Sequence, residues 1–138
     1  MSSLYLLDTN TVIYILRGRS PAARTRLTGL SGSDIAAISA VTEGELLYGL
    51  AKAGGGEAAR RSLEWFLARI KVLPWGRDEA AAYGLLRARQ EQIGKSLAPL
   101  DTQIAAHAVA IGAVVVTNDR AFQQIESLAG IENWATDL

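Results

Sequence analysis

The chain has no cysteine among its 138 residues and a single histidine, His107. The first absence excludes disulfide frameworks, thiolate nucleophiles and Cys-ligated zinc or iron–sulfur sites. The second excludes paired-histidine acid–base chemistry and multi-histidine metal sites within one chain, and leaves a Ser-His-Asp triad only one imidazole to use. Net charge is missing too: fourteen Lys and Arg balance fourteen Asp and Glu, so no global basic field marks a nucleic-acid binder. The longest nearly apolar stretch, Ile104–Val116, is 13 residues and holds His107 and Gly112, whereas a membrane span takes roughly 20 apolar residues. The opening MSSLYLL has neither the positive n-region nor the apolar length of a secretory signal. The expectation is a cytoplasmic protein with no membrane partner, whose chemistry rests on carboxylates, hydroxyls, amides and cations.

What is present is enough apolar material, 49% of residues, to fill a core, and the length fits a single domain spanning 1–138. Short apolar runs at Leu4–Leu7, Ile35–Ile38, Lys71–Leu73 and Ala113–Thr117 read as buried strands, with Ile131–Trp134 as an edge strand. Between them lie helical stretches: one after Ser20-Pro21, then Val41–Ala53, Glu57–Ile70, Asp78–Ile93, Thr102–Ala110 and Arg120–Leu128. Gly54-Gly55-Gly56 reads as a helix–helix turn. Strands alternating with helices imply an α/β fold: three α/β/α layers around a mostly parallel sheet of four to five short strands.

In such sheets the active cleft lies beyond the carboxyl ends of the strands. Asp8 directly follows the run LYLL, and Asp119 closely follows VVV, which places both carboxylates at one edge. Glu45 lies inside a helix and Asp101 near the start of another. If all four converge they repel one another, and the natural counterion is a hard divalent cation with oxygen ligands, Mg²⁺ or Mn²⁺. Taken singly, each has an ordinary structural role. Asp8, Asp101 and Asp119 each precede helical stretches that an aspartate caps well, and Thr42–Glu45 fits a capping box. A cap tolerates Ser, Thr or Asn equally, so capping does not account for four carboxylates.

The segments LLDTN (6–10), ISAVTEGELLYG (38–49), PLDTQIAAHAVAIG (99–112) and VVVTNDRAF (114–122), in this order, resemble the motifs of PIN-domain nucleases. With the terminal IENW (131–134) they resemble VapC-type toxins of bacterial toxin–antitoxin pairs. The resemblance implies an acidic, metal-binding and catalytic cluster of Asp8, Glu45, Asp101 and Asp119. Glu43 is the rival of Glu45, about 200° away on a helix, and the pattern E-L-x-x-G favours Glu45. Asn118 is the alternative to Asp119. Thr9, Asn10, Thr117 and Asn118 match supporting positions. Lys95, where relatives often carry arginine, with Arg17 and Arg19, are candidate RNA phosphate contacts.

The same resemblance implies a Mg²⁺-dependent endoribonuclease with Mn²⁺ as a substitute. It would cut single-stranded or loop RNA to leave 5′-phosphate and 3′-hydroxyl ends, form a homodimer, and be restrained by a VapB-type antitoxin. Two other readings compete. Asp8-Thr9-Asn10 also resembles the nucleophile loop of haloacid dehalogenase-type phosphatases, although Asn10 stands where their second carboxylate belongs. The other is a PIN-like module that binds without catalysis. His107, six residues beyond Asp101, points about 120° away from it and reads as a packed residue. Trp65, Trp75 and Trp134 read as core or interface aromatics.

Overall fold

A computed structural model describes residues 2–138. Five strands, β1 (Leu4–Leu7), β2 (Ile35–Ser39), β3 (Lys71–Leu73), β4 (Val114–Val116) and β5 (Gly130–Glu132), form one sheet in the order β3-β2-β1-β4-β5. Every neighbouring pair is parallel. Six helices connect them: α1 (Thr9–Leu16), α2 (Pro21–Thr28), α3 (Ala40–Lys52), α4 (Glu57–Leu67), α5 (Arg77–Gln92) and α6 (Pro99–Ile111).

The alternation of side chains along each strand divides the core in two. Tyr5 and Leu7 of β1, Ala36 and Ile38 of β2, and Val116 of β4 face one core with Val12 and Ile15 of α1, Leu27 of α2 and Phe66 of α4. Leu6, Ala37 and Val115, from the same strands, face the other core with Leu86 of α5 and Ile104 of α6. Strands buried on both faces read as unbroken apolar runs, which is why VVV stands out in the sequence. The three layers follow from this period of two.

The topology also sets the cleft. From β1 the chain builds first toward β2 and β3 and later returns to β1's other side for β4 and β5. The connections diverge between β1 and β4, at whose carboxyl ends a parallel sheet opens a crevice. Register holds those ends level: Leu7 pairs with Val116, and the Asp8 amide donates to the Val116 carbonyl at 3.0 Å.

Three local expectations are corrected. Helix α3 starts at Ala40 with Ser39 as its cap, whose hydroxyl accepts the Val41 amide at 3.1 Å. The Thr42–Glu45 capping box therefore does not form, because β2 turns into α3 with no intervening loop. Helix α6 begins at Pro99, so Asp101 lies inside the first turn with no capping bond of its own. The segment after Asp119 is a 3₁₀ turn, Arg120–Gln124, because the chain must reach β5 by Gly130. Ser20-Pro21 opens α2 as expected, with the Ser20 hydroxyl accepting the Ala23 amide at 3.1 Å. Gly54 and Gly55 take positive φ in the α3–α4 turn.

The C-terminal segment is fastened to α2. Asp137 accepts from the Ser20 hydroxyl at 2.6 Å and from the Ala22 amide at 3.1 Å. Arg26 lies over the rings of Tyr5 and Trp134 and 3.5 Å from Glu132.

Candidate active site

Asp8 is the buried centre of the edge where β1 and β4 end, with only 3% of its surface exposed. It caps α1: Oδ1 accepts the Thr11 amide at 2.8 Å, while Oδ2 accepts the Thr117 hydroxyl at 2.5 Å. The capping reading and the functional reading thus share one carboxylate. Burial lifts its pKa above the ordinary aspartate value, the Thr117 and Thr11 hydrogen bonds pull it back, and the charge of Asp119 adds to the rise. Thr11 in turn donates its hydroxyl to the Val116 carbonyl at 3.3 Å, a second tie between α1 and β4.

Asp101 is half-buried at the start of α6. Its pKa is raised by burial first, then by the negative charges of Asp119 and Asp8. Asp119, exposed, caps the 3₁₀ turn through the Ala121 amide at 2.9 Å, and its own amide donates to the Thr117 hydroxyl at 3.0 Å. The three aspartates therefore stand within electrostatic reach of one another. None of them is salt-bridged to a cation among the described residues.

Glu45 is placed differently. Its side chain is exposed and borders a groove of about 340 Å³ between α1, α3 and α4, together with Arg17. Coulombic coupling joins Asp8, Asp101 and Asp119, and Glu45 is not among the charges that shift Asp8 or Asp101. Among the described residues no three acidic or histidine side chains form a ready-made metal cage. Glu43, on the same helix, is half-buried. The donor set at the edge is nonetheless all oxygen, with mutual repulsion among the carboxylates. That chemistry fits a hard divalent cation and no softer one.

The supporting positions divide as well. Thr117 is buried and bonded to both Asp8 and Asp119. Thr9 shares a hydrogen bond of 3.1 Å with Thr42 of α3, so Thr42 orients a neighbour of Asp8 instead of capping a helix. Asn10 and Asn118 are exposed. Arg17, Arg19 and Lys95 are exposed and free of salt bridges among the described residues. Sequence reasoning missed Thr11 and Thr42; their only signal was a hydroxyl at a helical position that must be buried. His107 is fully buried in α6, and Trp65 lies under the guanidinium groups of Arg24 and Arg69 at 3.9 and 4.2 Å, a packed aromatic as expected.

The chain is similar to known proteins over nearly its whole length. A Rickettsia felis protein named Ribonuclease VapC2 is 33% identical over 95% of this chain and 98% of its own length. A Salmonella typhimurium protein named tRNA(fMet)-specific endonuclease VapC is 36% identical, covering 94% of this chain and 97% of that protein. Among solved structures, the Rickettsia felis VapBC2 crystal structure, bound to a promoter DNA fragment, superposes with a TM-score of 0.88 at 33% identity, covering 95% of this chain and 98% of the matched one. These similarities leave the phosphatase reading of Asp8 without support. The family model described as PIN domain matches residues 5–128, and the chain belongs to the PIN-domain family.

Proposed function

We propose that this chain is a divalent-metal-dependent endoribonuclease that acts in the cytoplasm as the toxin of a toxin–antitoxin pair. The observation that carries the reading is that Asp8, Asp101 and Asp119 lie within electrostatic reach of one another at the carboxyl edge of the sheet, where burial first, and then neighbouring negative charge, raises the pKa values of Asp8 and Asp101. Mg²⁺, or Mn²⁺ in its place, would be held by these three, with Glu45 of α3 as the fourth proposed ligand and Asn118 as the alternative to Asp119. Such an ion supplies an acidified water and neutralises phosphate charge. The chain's own residues do the rest. Thr117 and the Thr11 amide fix both oxygens of Asp8, so that little reorganisation is left when substrate binds. The start of α6 stabilises the charge of Asp101. Arg17, Arg19 and Lys95 would contact backbone phosphates, and the products would carry 5′-phosphate and 3′-hydroxyl ends.

The likeness to VapC ribonucleases and to VapBC assemblies supports RNA as substrate and a VapB-type antitoxin as partner; a homodimer is the working form we propose. The Salmonella relative's name makes tRNA(fMet) the first substrate to try. The test is incubation of the purified, antitoxin-free chain with end-labelled tRNA(fMet) and a panel of structured RNAs, with Mg²⁺ or with EDTA. Site-specific, Mg²⁺-dependent cleavage with 5′-phosphate ends is expected. Intact RNA under every condition, or equal cleavage in EDTA, would overturn the proposal.

A further inference from the structure

Gln90, in the last turns of α5, is 4% exposed and reaches two separate parts of the site's scaffold. Its side-chain Nε2 donates to the Lys95 carbonyl at 2.9 Å and to the Gln124 carbonyl at 3.2 Å. Its own main-chain carbonyl accepts the Lys95 amide at 2.8 Å. Both side-chain partners are carbonyls, which only accept, so the amide nitrogen must be the atom that faces them. One residue thus grips the peptide groups on both sides of Lys95 and ties them to the turn that follows Asp119. Gly94, at a φ of +70°, makes the reversal that brings Lys95 back onto the helix end.

Further along, the Thr102 hydroxyl donates to the Ala98 carbonyl at 2.9 Å, and Leu97 packs against the core, so Gln90 serves the Lys95 end of the loop. A hollow of about 220 Å³, lined by Tyr83, Arg87, Ser96, Leu97 and Thr102, lies under the segment that leads into α6 and Asp101. Beside this hollow, which Gln90 also lines, directed hydrogen bonds fix the Lys95 peptide groups. An apolar side chain in Gln90's place would fill the core equally well but leave two carbonyls short of a donor.

We infer that Gln90 is a positioning residue for RNA binding, holding Lys95 and the α5–α6 loop in fixed relation to the Asp119 turn. The inference rests on the nuclease reading and deepens it. It acts through Lys95, so its signature is substrate affinity and not the chemical step.

The test compares Gln90→Met, which keeps the volume and loses both donors, with Lys95→Ala and the double variant. RNA affinity is read by fluorescence anisotropy with tRNA(fMet), each variant being placed in an Asp8→Asn background, and KM and kcat are read with Asp8 intact. Each single variant is expected to weaken binding and raise KM by about five- to tenfold with kcat little changed, and the double variant to bind no worse than Lys95→Ala alone. A folded Gln90→Met chain with unaltered affinity, a loss confined to kcat, or fully additive losses would overturn the inference. Should Gln90→Met fail to fold, Gln90→Glu decides the matter. Its carboxylate has no donor at neutral pH and regains one when protonated, so its affinity deficit relative to the parent chain is expected to narrow from pH 8 to pH 5.5. A deficit that is absent or constant with pH contradicts the role. A parent chain that cleaves no RNA removes the nuclease reading and this inference together, whereas cleavage by the parent with unchanged binding in the variants removes only the inference.

Discussion

Thr117 and Asp8, 109 residues apart in the chain, are joined by a hydrogen bond of 2.5 Å from the threonine hydroxyl to Oδ2. The bond links the carboxyl ends of β1 and β4 and opposes the pKa rise that burial imposes on Asp8. Removing it in Thr117→Val allows that pKa to climb further, so more of the aspartate is protonated at a given pH. The acidic limb of the pH–rate profile is then expected to move upward and activity at neutral pH to fall about tenfold, the scale typical for groups that orient a metal-binding side chain. Thr117→Ser should restore both. An unchanged profile in Thr117→Val would show that the bond serves packing alone.

His107 gives a different pH dependence. It is fully buried, neither ring nitrogen has a hydrogen-bond partner among the described residues, and burial lowers its pKa, with Glu79 opposing that shift. The folded chain therefore binds a proton less readily than the unfolded chain, whose histidine titrates near 6.5. Its contribution to stability is complete above that value and is lost as pH falls from there toward the folded-state pKa, with a slope of at most about 1.4 kcal/mol per pH unit for one proton. Urea unfolding between pH 8 and pH 5 should show this fall in the parent chain and a flatter response in His107→Leu. Parallel curves would contradict it.

Arg17 and Arg19 stand in a run, Thr9–Ser33, that carries four arginines and no acidic residue. If each contacts a phosphate, the double variant to alanine is expected to weaken RNA binding at low salt. It should also reduce the slope of log affinity against log salt by roughly 0.7 per contact for single-stranded RNA. Affinity titrations at several salt concentrations check this. An unaltered slope would place both arginines on a merely solvated face.

The sheet was legible in the sequence because burial on both faces leaves uninterrupted apolar runs, and the order LLDTN to VVVTND put Asp8 and Asp119 at strand ends. Boundaries were less legible where one residue serves two elements. Ser39 ends β2 and caps α3, and Thr42, three residues later, is equally suited to capping, so sequence alone does not separate the two. Asp101 and its helix were found, although Pro99 had already opened the first turn. The place of Glu45 was beyond reach, because helical phase says which residues share a face but not which neighbouring element that face meets. Gln90 carried no signal at all: within RARQEQ it looks like one more solvated polar residue, and only the tertiary fold shows two carbonyls waiting for its amide.

Direct titration with Mn²⁺, read by the loss of its free-ion paramagnetic resonance signal, tests the central claim most closely, since it asks whether the aspartates that meet at the sheet edge grip one cation. The parent chain is expected to bind the ion, and Asp8→Asn and Asp101→Asn to lose that binding and at least about a hundredfold of RNA cleavage. Both variants should stay folded, Asn being as good a helix cap as Asp. Mn²⁺ binding that survives in both folded variants, or cleavage that does, would contradict the account.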